Sequence, residues 1–237
     1  MTFRMEDRFI ERQEQAEQRR FGQAELLENV RFVRERSQDA AAYKPFDDMR
    51  LRGAQLSGLR LGCDRSEPDA FDTCATFARA DLRRALLNRA DLSGAYLFRA
   101  DAQEAQAEEA QFIRATLAEA DFRSANLRGA FLQLSSASGV LLANADLTRA
   151  SLLGAHMDGA DLRGAVLDET ILGDADLRGA NLAGVDMTTS DFIGATVQCC
   201  GDDVIHPPNL DGVCYDDSTL WPEEHRPVAP PECAAWK

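Results

Sequence analysis

Few residues in this chain have the type and spacing that chemistry requires. Of its three histidines only His156 lies in the repetitive centre, at an outward position that suits a surface imidazole rather than a general base. The six cysteines, Cys63, Cys74, Cys199, Cys200, Cys214 and Cys233, are even in number and permit disulfides, Cys63 with Cys74 among them. Their connectivity does not follow from sequence. No pair has the Cys-x-x-Cys spacing of a zinc site, and His206 and His225 are the only imidazoles near the C-terminal cysteines, so no metal site is expected. Carboxylates are abundant, but Asp91, Asp101, Asp121, Asp146, Asp161, Asp176, Asp186 and Asp191 each stand immediately before an apolar residue in a fixed pattern. That recurrence gives them a structural role, a short side chain that hydrogen-bonds backbone at a corner. No phosphate-binding loop, dinucleotide glycine motif or nucleophile elbow occurs. The chain reads as a non-enzyme without cofactors.

The pattern that places those aspartates has a period of five. From Phe77 to Val197 every fifth residue is apolar through 25 consecutive pentads, and two positions before each stands a small residue, usually alanine. A strand repeats every two residues and a helix every 3.6, so neither keeps positions five apart on one side. A backbone that turns a corner once per pentad does. Glycine at Gly94, Gly129, Gly154, Gly159, Gly164, Gly179, Gly184 and Gly194 suits such corners, and fixed-period self-similarity of this length signals a solenoid.

The blocks Ala90-Asp91-Leu92-Ser93-Gly94, Ala160-Asp161-Leu162-Arg163-Gly164, Ala175-Asp176-Leu177-Arg178-Gly179 and Ala180-Asn181-Leu182-Ala183-Gly184 resemble the A(D/N)LXX unit of the pentapeptide repeat family. The resemblance covers over half the chain. It implies an all-β solenoid, a right-handed quadrilateral parallel β-helix with four pentads per coil, Leu or Phe at its centre and the small residue packed at the corner. Twenty residues per coil give about six coils, a rod about 30 Å long at the usual strand spacing. An earlier run, Phe46, Leu51, Leu56 and Leu61, has the same spacing in a frame shifted by one residue.

Five segments follow: an N-terminal helical cap over 1–44, first repeats over 45–62, a cysteine-containing loop over 63–75, the main β-helix over 76–199, and an acidic Cys- and Pro-rich tail over 200–237. Between Arg4 and Ser37 the chain is rich in Glu, Gln and Arg, with Phe21, Ala24, Leu27 and Val30 forming an apolar helical stripe flanked by Leu26 and Val33. The second half of that helix is expected to cover the open end of the solenoid. Prolines from Pro207 to Pro231 forbid regular structure in the tail, which is expected to wrap over the last coil. No run of 18 apolar residues and no apolar leader appear, so no membrane span is expected and the cytoplasm is the default location, or an extracytoplasmic one if the cysteines are bonded.

Counting by twenties from Leu92 gathers Ile113, Phe131, Leu134, Leu153, Ile171 and Ile193 on the outside of one face, while other faces show mainly polar residues. A contiguous apolar surface marks a contact, with a protein partner, with a second copy in a homodimer, or with the chain's own N-terminal helix. Residues 115–199 and 200–237 each carry a net charge of −6, out of −14 for the chain, which repels nucleic acid and attracts basic grooves. Two functions are therefore expected. The first is a protein-binding scaffold that uses the apolar face and the acidic half. The second, implied by the resemblance, is a DNA mimic that binds a type II topoisomerase such as DNA gyrase and protects against topoisomerase poisons.

Overall fold

One pentad explains the whole rod. In Ala80-Asp81-Leu82-Arg83-Arg84 the side chains of Ala80 and Leu82 are buried, while Asp81, Arg83 and Arg84 face outward. The carbonyl of Leu82 accepts from the Ala85 amide at 2.9 Å, and Arg84 has φ 56°, the signature of a type II turn, which needs a left-handed third residue. The remaining amides run between coils. Leu82 N donates to Asp101 O at 2.7 Å, Arg84 N to Gln103 O at 2.9 Å, and Asp101 N back to Ala80 O at 3.0 Å. One amide per pentad, that of the first turn residue, has no backbone acceptor. The preceding aspartate provides one, as Asp81 Oδ1 does for Arg83 N at 3.2 Å.

The computed structural model describes residues 3–39, 44–63, 73–185 and 189–191, with the backbone alone over 3–14. Parallel bridges link residues 20 apart from Asp81 with Asp101 to Ile171 with Asp191, so four pentads close each coil of a right-handed β-helix. A first face is centred on Phe46, Phe77, Leu97, Leu117, Ala137, Met157 and Leu177. A second is centred on Leu51, Leu82 and their successors, a third on Leu56 and Leu87, and a fourth on Leu61, Leu92, Phe112, Leu132, Leu152 and Leu172. All these residues are buried in one continuous core. Where positions 102 and 107 carry only alanine, Phe112 and Phe122 meet edge to face at 5.7 Å.

The frame shift near residue 62 is an insertion. Arg50, Gln55 and Arg60 bridge Asp81, Leu86 and Asp91, partners 31 residues on rather than 20, so eleven residues are added at the corner between the fourth face and the first. A disulfide joins Cys63 to Cys74, also eleven residues apart, and closes the insertion at its root. The expected segment boundaries move accordingly. Strand β1 (Lys44–Pro45) pairs with β2 (Ala75–Thr76), so Lys44 already belongs to the solenoid and Ala75 to the returning coil, because the ladder resumes as soon as the insertion is closed.

Helix α1 (Phe3–Ser37) caps the open end of the first coil. Its inner side is Leu26, Val30, Phe32 and Val33, of which Val33 is fully buried, whereas Phe21 and Leu27 of the expected stripe are 72% and 71% exposed. Spacing of four and three from Leu26 points at the coil end; Phe21 and Leu27 point away from it. Asn29 Nδ2 donates to Arg50 O at 3.1 Å and Arg34 Nη2 to Gln55 O at 3.0 Å. In every later coil the equivalent carbonyl accepts from the coil before it. The helix thus replaces the missing neighbour with side-chain donors five residues apart.

Candidate functional site

The turn chemistry first removes most carboxylates from consideration. Asp91, Asp101, Asp121, Asp146, Asp161 and Asp176 each accept the amide two residues on, at 3.0 to 3.3 Å, the structural role expected of them. Asp186 lies outside the described residues. Arg83, Arg123, Arg163 and Arg178 then close back on the aspartate of their own pentad. Hydrogen bonds from those arginines hold Asp81, Asp161 and Asp176 below the usual carboxylate range against the opposing effect of partial burial.

A second ionic pattern escaped the pentad-by-pentad count. Among the described residues fifteen that are not glycine occupy the left-handed turn position, at roughly 1–2 kcal/mol each. Many of them pair with their successor one coil on: Arg84 with Glu104, Arg89 with Glu109, Arg99 with Glu119 and Arg149 with Glu169, each at 2.7 Å. Pairs at a lag of twenty were visible in the sequence once four pentads per coil was known.

Lys44 was also missed. Its buried ammonium donates to Thr73 O at 3.0 Å across the root of the insertion, and burial pushes its pKa down against the counteracting Asp39. The signal for it was a single lysine before proline at the start of the first coil.

On the described solenoid the exposed large hydrophobics are Tyr96, Phe131, Leu134, Leu153, Val166 and Ile171, and four of these six belong to the fourth face. Phe131, Leu134, Leu153 and Ile171 are 41–52% exposed, and Ile113 is half-buried one coil earlier. Phe131, Ser151 and Ile171 are successive bridge partners in one column. Leu134 lies across Gly154 of the next coil, 2.9 Å from where a Cβ there would stand. The described part of α1 contacts the end of the first coil and leaves this face uncovered. Ile193 and Cys199, Cys200, Cys214 and Cys233 fall outside the described residues. Val166, on the third face, is an exposed residue that the face count passed over.

A groove of about 620 Å³ opens between α1 and the first coil. Phe21 and Met49 meet Glu25, Glu28, Asp47 and Asp48 there, with Arg50 held by Glu25 at 3.3 Å. Its titratable lining is four carboxylates and Arg50, with no histidine, cysteine, serine or threonine. Among the described residues no three His, Cys, Asp or Glu side chains are grouped to hold a metal ion, and no helix is long and apolar enough to cross a membrane.

The family model "Pentapeptide repeats" matches residues 75–168 and 170–200 in overlapping copies, more than half of the chain. Similar solved structures include HetL, a pentapeptide repeat protein involved in heterocyst differentiation regulation from Nostoc sp. strain PCC 7120. It is 26% identical over 73% of this chain and 87% of its own, with a TM-score of 0.31. Full-length QnrB1, a plasmid-mediated fluoroquinolone resistance protein, is 25% identical over 73% and 82%, with a TM-score of 0.38. A pentapeptide repeat protein of the Arabidopsis thaliana thylakoid lumen is 28% identical over 48% and 66%, with a TM-score of 0.30. No curated protein matches the chain at a significant level.

Proposed function

The chain belongs to the pentapeptide repeat family, and we propose that it is a non-catalytic scaffold that acts by protein–protein contact through its fourth face. The observation that carries this is the gathering of Phe131, Leu134, Leu153 and Ile171 on one side of the rod that the described residues leave uncovered, whereas the other faces expose only Tyr96 and Val166 as large hydrophobics among the described residues. An exposed apolar patch rimmed by polar residues is the usual mark of a contact. A core filled by apolar side chains argues against an enzyme.

DNA mimicry toward a type II topoisomerase has less behind it. Every arginine between residues 115 and 191 is paired with an acid, Arg123, Arg128, Arg149, Arg163 and Arg178 in turn. The resulting surface alternates in sign, whereas duplex DNA presents an unbroken row of anions. The Cys63–Cys74 bond supports an oxidising compartment in place of the cytoplasm.

The test is a photo-crosslinking residue at Leu153 on the fourth face, with Arg52 on the second face as control. Covalent protein adducts are expected from the first position and not the second. Adducts from both or neither would remove the contact face. Inhibition of gyrase supercoiling by the purified protein, unaffected by Phe131→Ser with Leu153→Ser and Ile171→Ser, would overturn the scaffold in favour of the mimic.

A further inference from the structure

Between residues 73 and 191 eleven arginines are described, and ten are ion-paired. The exception is Arg114, at the left-handed corner of the fourth face. Arg84, Arg89, Arg99 and Arg149 in that position find a glutamate twenty residues on and Arg79 finds Asp48 one coil back, whereas here the column runs Arg114, Leu134, Gly154, Asp174. Asp174 has no cationic partner among the described residues either. The two charges stand three coils apart, about 14 Å at the strand spacing, too far to meet within one chain.

Building on the contact face proposed above, we infer that the fourth face binds a second copy of this chain, antiparallel, about a two-fold axis that runs along the strands between the coil of Leu134 and the coil of Gly154. Such an axis keeps each column opposite itself and reverses the order of coils. Arg114 then faces the partner's Asp174, and the two Leu134 side chains, each lying across Gly154 of its own chain, meet at the axis. Ile113 meets the partner's Gly173, and Phe131 the partner's Ser151. The same axis sets Gln111 opposite the partner's Ile171 and Gln133 opposite the partner's Leu153, and by symmetry each pair occurs twice, as an isologous interface demands. The other two-fold, along the rod, keeps every residue at the level of its own copy, so Arg114 stays three coils from the partner's Asp174 wherever that axis lies; only the antiparallel arrangement brings the two charges together.

At the rim, acids fall opposite acids, Asp91 against the partner's Asp191 and Glu109 against the partner's Glu169. Both glutamates are already held by arginines of their own chain, Arg89 and Arg149. The interface is one narrow face four coils high, smaller than the roughly 800 Å² per partner of a standard interface, so the dimer is weak and concentration-dependent.

Reversing one charge separates this inference from its alternatives. Light scattering and sedimentation of the full chain from about 10 μM to about 1 mM should show the mass rising toward that of a dimer. Arg114→Asp alone, or Asp174→Arg alone, places like charges opposite each other twice and should raise the dissociation constant about tenfold or more. Mixing the two variants sets the carboxylates of one against the guanidinium groups of the other and should restore the dimer as a heterodimer. Both substitutions sit at exposed corners, and unchanged circular dichroism would show the fold retained. A wild-type chain that stays monomeric throughout, or a mixture no heavier than its components, would overturn the second-copy inference. If the crosslinker at Leu153 then captured a different protein, the scaffold function would stand without it.

Discussion

The insertion at residue 63 offers a quantitative test of how the first two coils are joined. Removing residues 64–74 joins Cys63 to Ala75 and leaves the run Leu61-Gly62-Cys63-Ala75-Thr76-Phe77, in which the central residues are again five apart. In the intact chain the Cys63–Cys74 bond does the same job by closing an eleven-residue loop. The chain-entropy model gives such a closure about 3 kcal/mol. For an ordered body of this size each kcal/mol moves Tm by about 2–4 °C, so reduction should lower Tm by about 6–12 °C. The deletion has no loop to close and no bond to lose. It does lose Thr73, whose carbonyl accepts from buried Lys44 at 3.0 Å, a cost of about 1.5–3 kcal/mol for a bond from a charged donor. The oxidised parent is therefore expected to have the highest Tm, with the deletion at or above the reduced parent. The variant with Cys63→Ser and Cys74→Ser should melt with the reduced parent whatever the state of the other cysteines. Circular dichroism melts with and without dithiothreitol measure all four. A deletion that melts below the reduced parent, or a parent indifferent to reductant, would refute the idea that the solenoid is continuous across the root of the insertion.

Two further outcomes are expected. The arginine-paired carboxylates Asp81, Asp161, Asp176, Glu104 and Glu169 all have folded pKa values below their unfolded ones, so each contributes stability that is present above about pH 4 and lost as pH falls through the lower folded value. Tm should be level from neutral pH to about pH 5 and then drop steeply, and Asp161→Asn, which keeps the turn acceptor but loses the charge pair, should flatten that drop; a Tm that holds or rises down to about pH 3 would contradict the linkage. Asn29→Ala and Arg34→Ala each remove a donor to the first coil and should cost about 1 kcal/mol. Hydrogen exchange should quicken at the amides of Leu51 and Leu56 while those of Leu147 and Leu152 keep their protection, since repeats depend mainly on their neighbours; uniform loss along the rod would refute the cap's local role.

The sequence displayed the pentad almost completely, because each of its positions answers one local demand: Ala where the turn returns inward, Leu in the core, Asp where an amide lacks an acceptor. Hence the fold and the apolar face of Phe131, Leu134, Leu153 and Ile171 could be read by counting. What could not be read depends on relations between coils. The insertion looked like a one-residue slip because eleven is two pentads and one, and only the bridges 31 residues apart reveal its length. Phe21 and Leu27 fit a helical stripe as well as Leu26, Val30 and Val33 do, and only the direction of the coil end chooses between them. The Arg–Glu corner pairs, and Arg114 as their exception, exist only at a lag of twenty.

The turn also explains why charge was a poor guide to partners. Each pentad leaves one amide for a side chain to satisfy, so an aspartate before the central residue is first a count of stabilised turns and only then a surface charge. On the second face Asp81, Asp101, Asp121, Asp161 and Asn181 all serve in this way. On the fourth face Asp91 does so, but the next four positions are Gln111, Phe131, Ser151 and Ile171, and the amides of Ile113, Gln133, Leu153 and Gly173 have no protein acceptor among the described residues. That face therefore forgoes turn bonds worth about 1 kcal/mol each over the same coils in which it exposes apolar side chains. The first face lacks such acceptors among the described residues as well, beside Tyr96, Ser136 and His156, so the missing turn bonds do not by themselves set the fourth face apart; what differs is that Phe131, Leu153 and Ile171 stand exposed beside them.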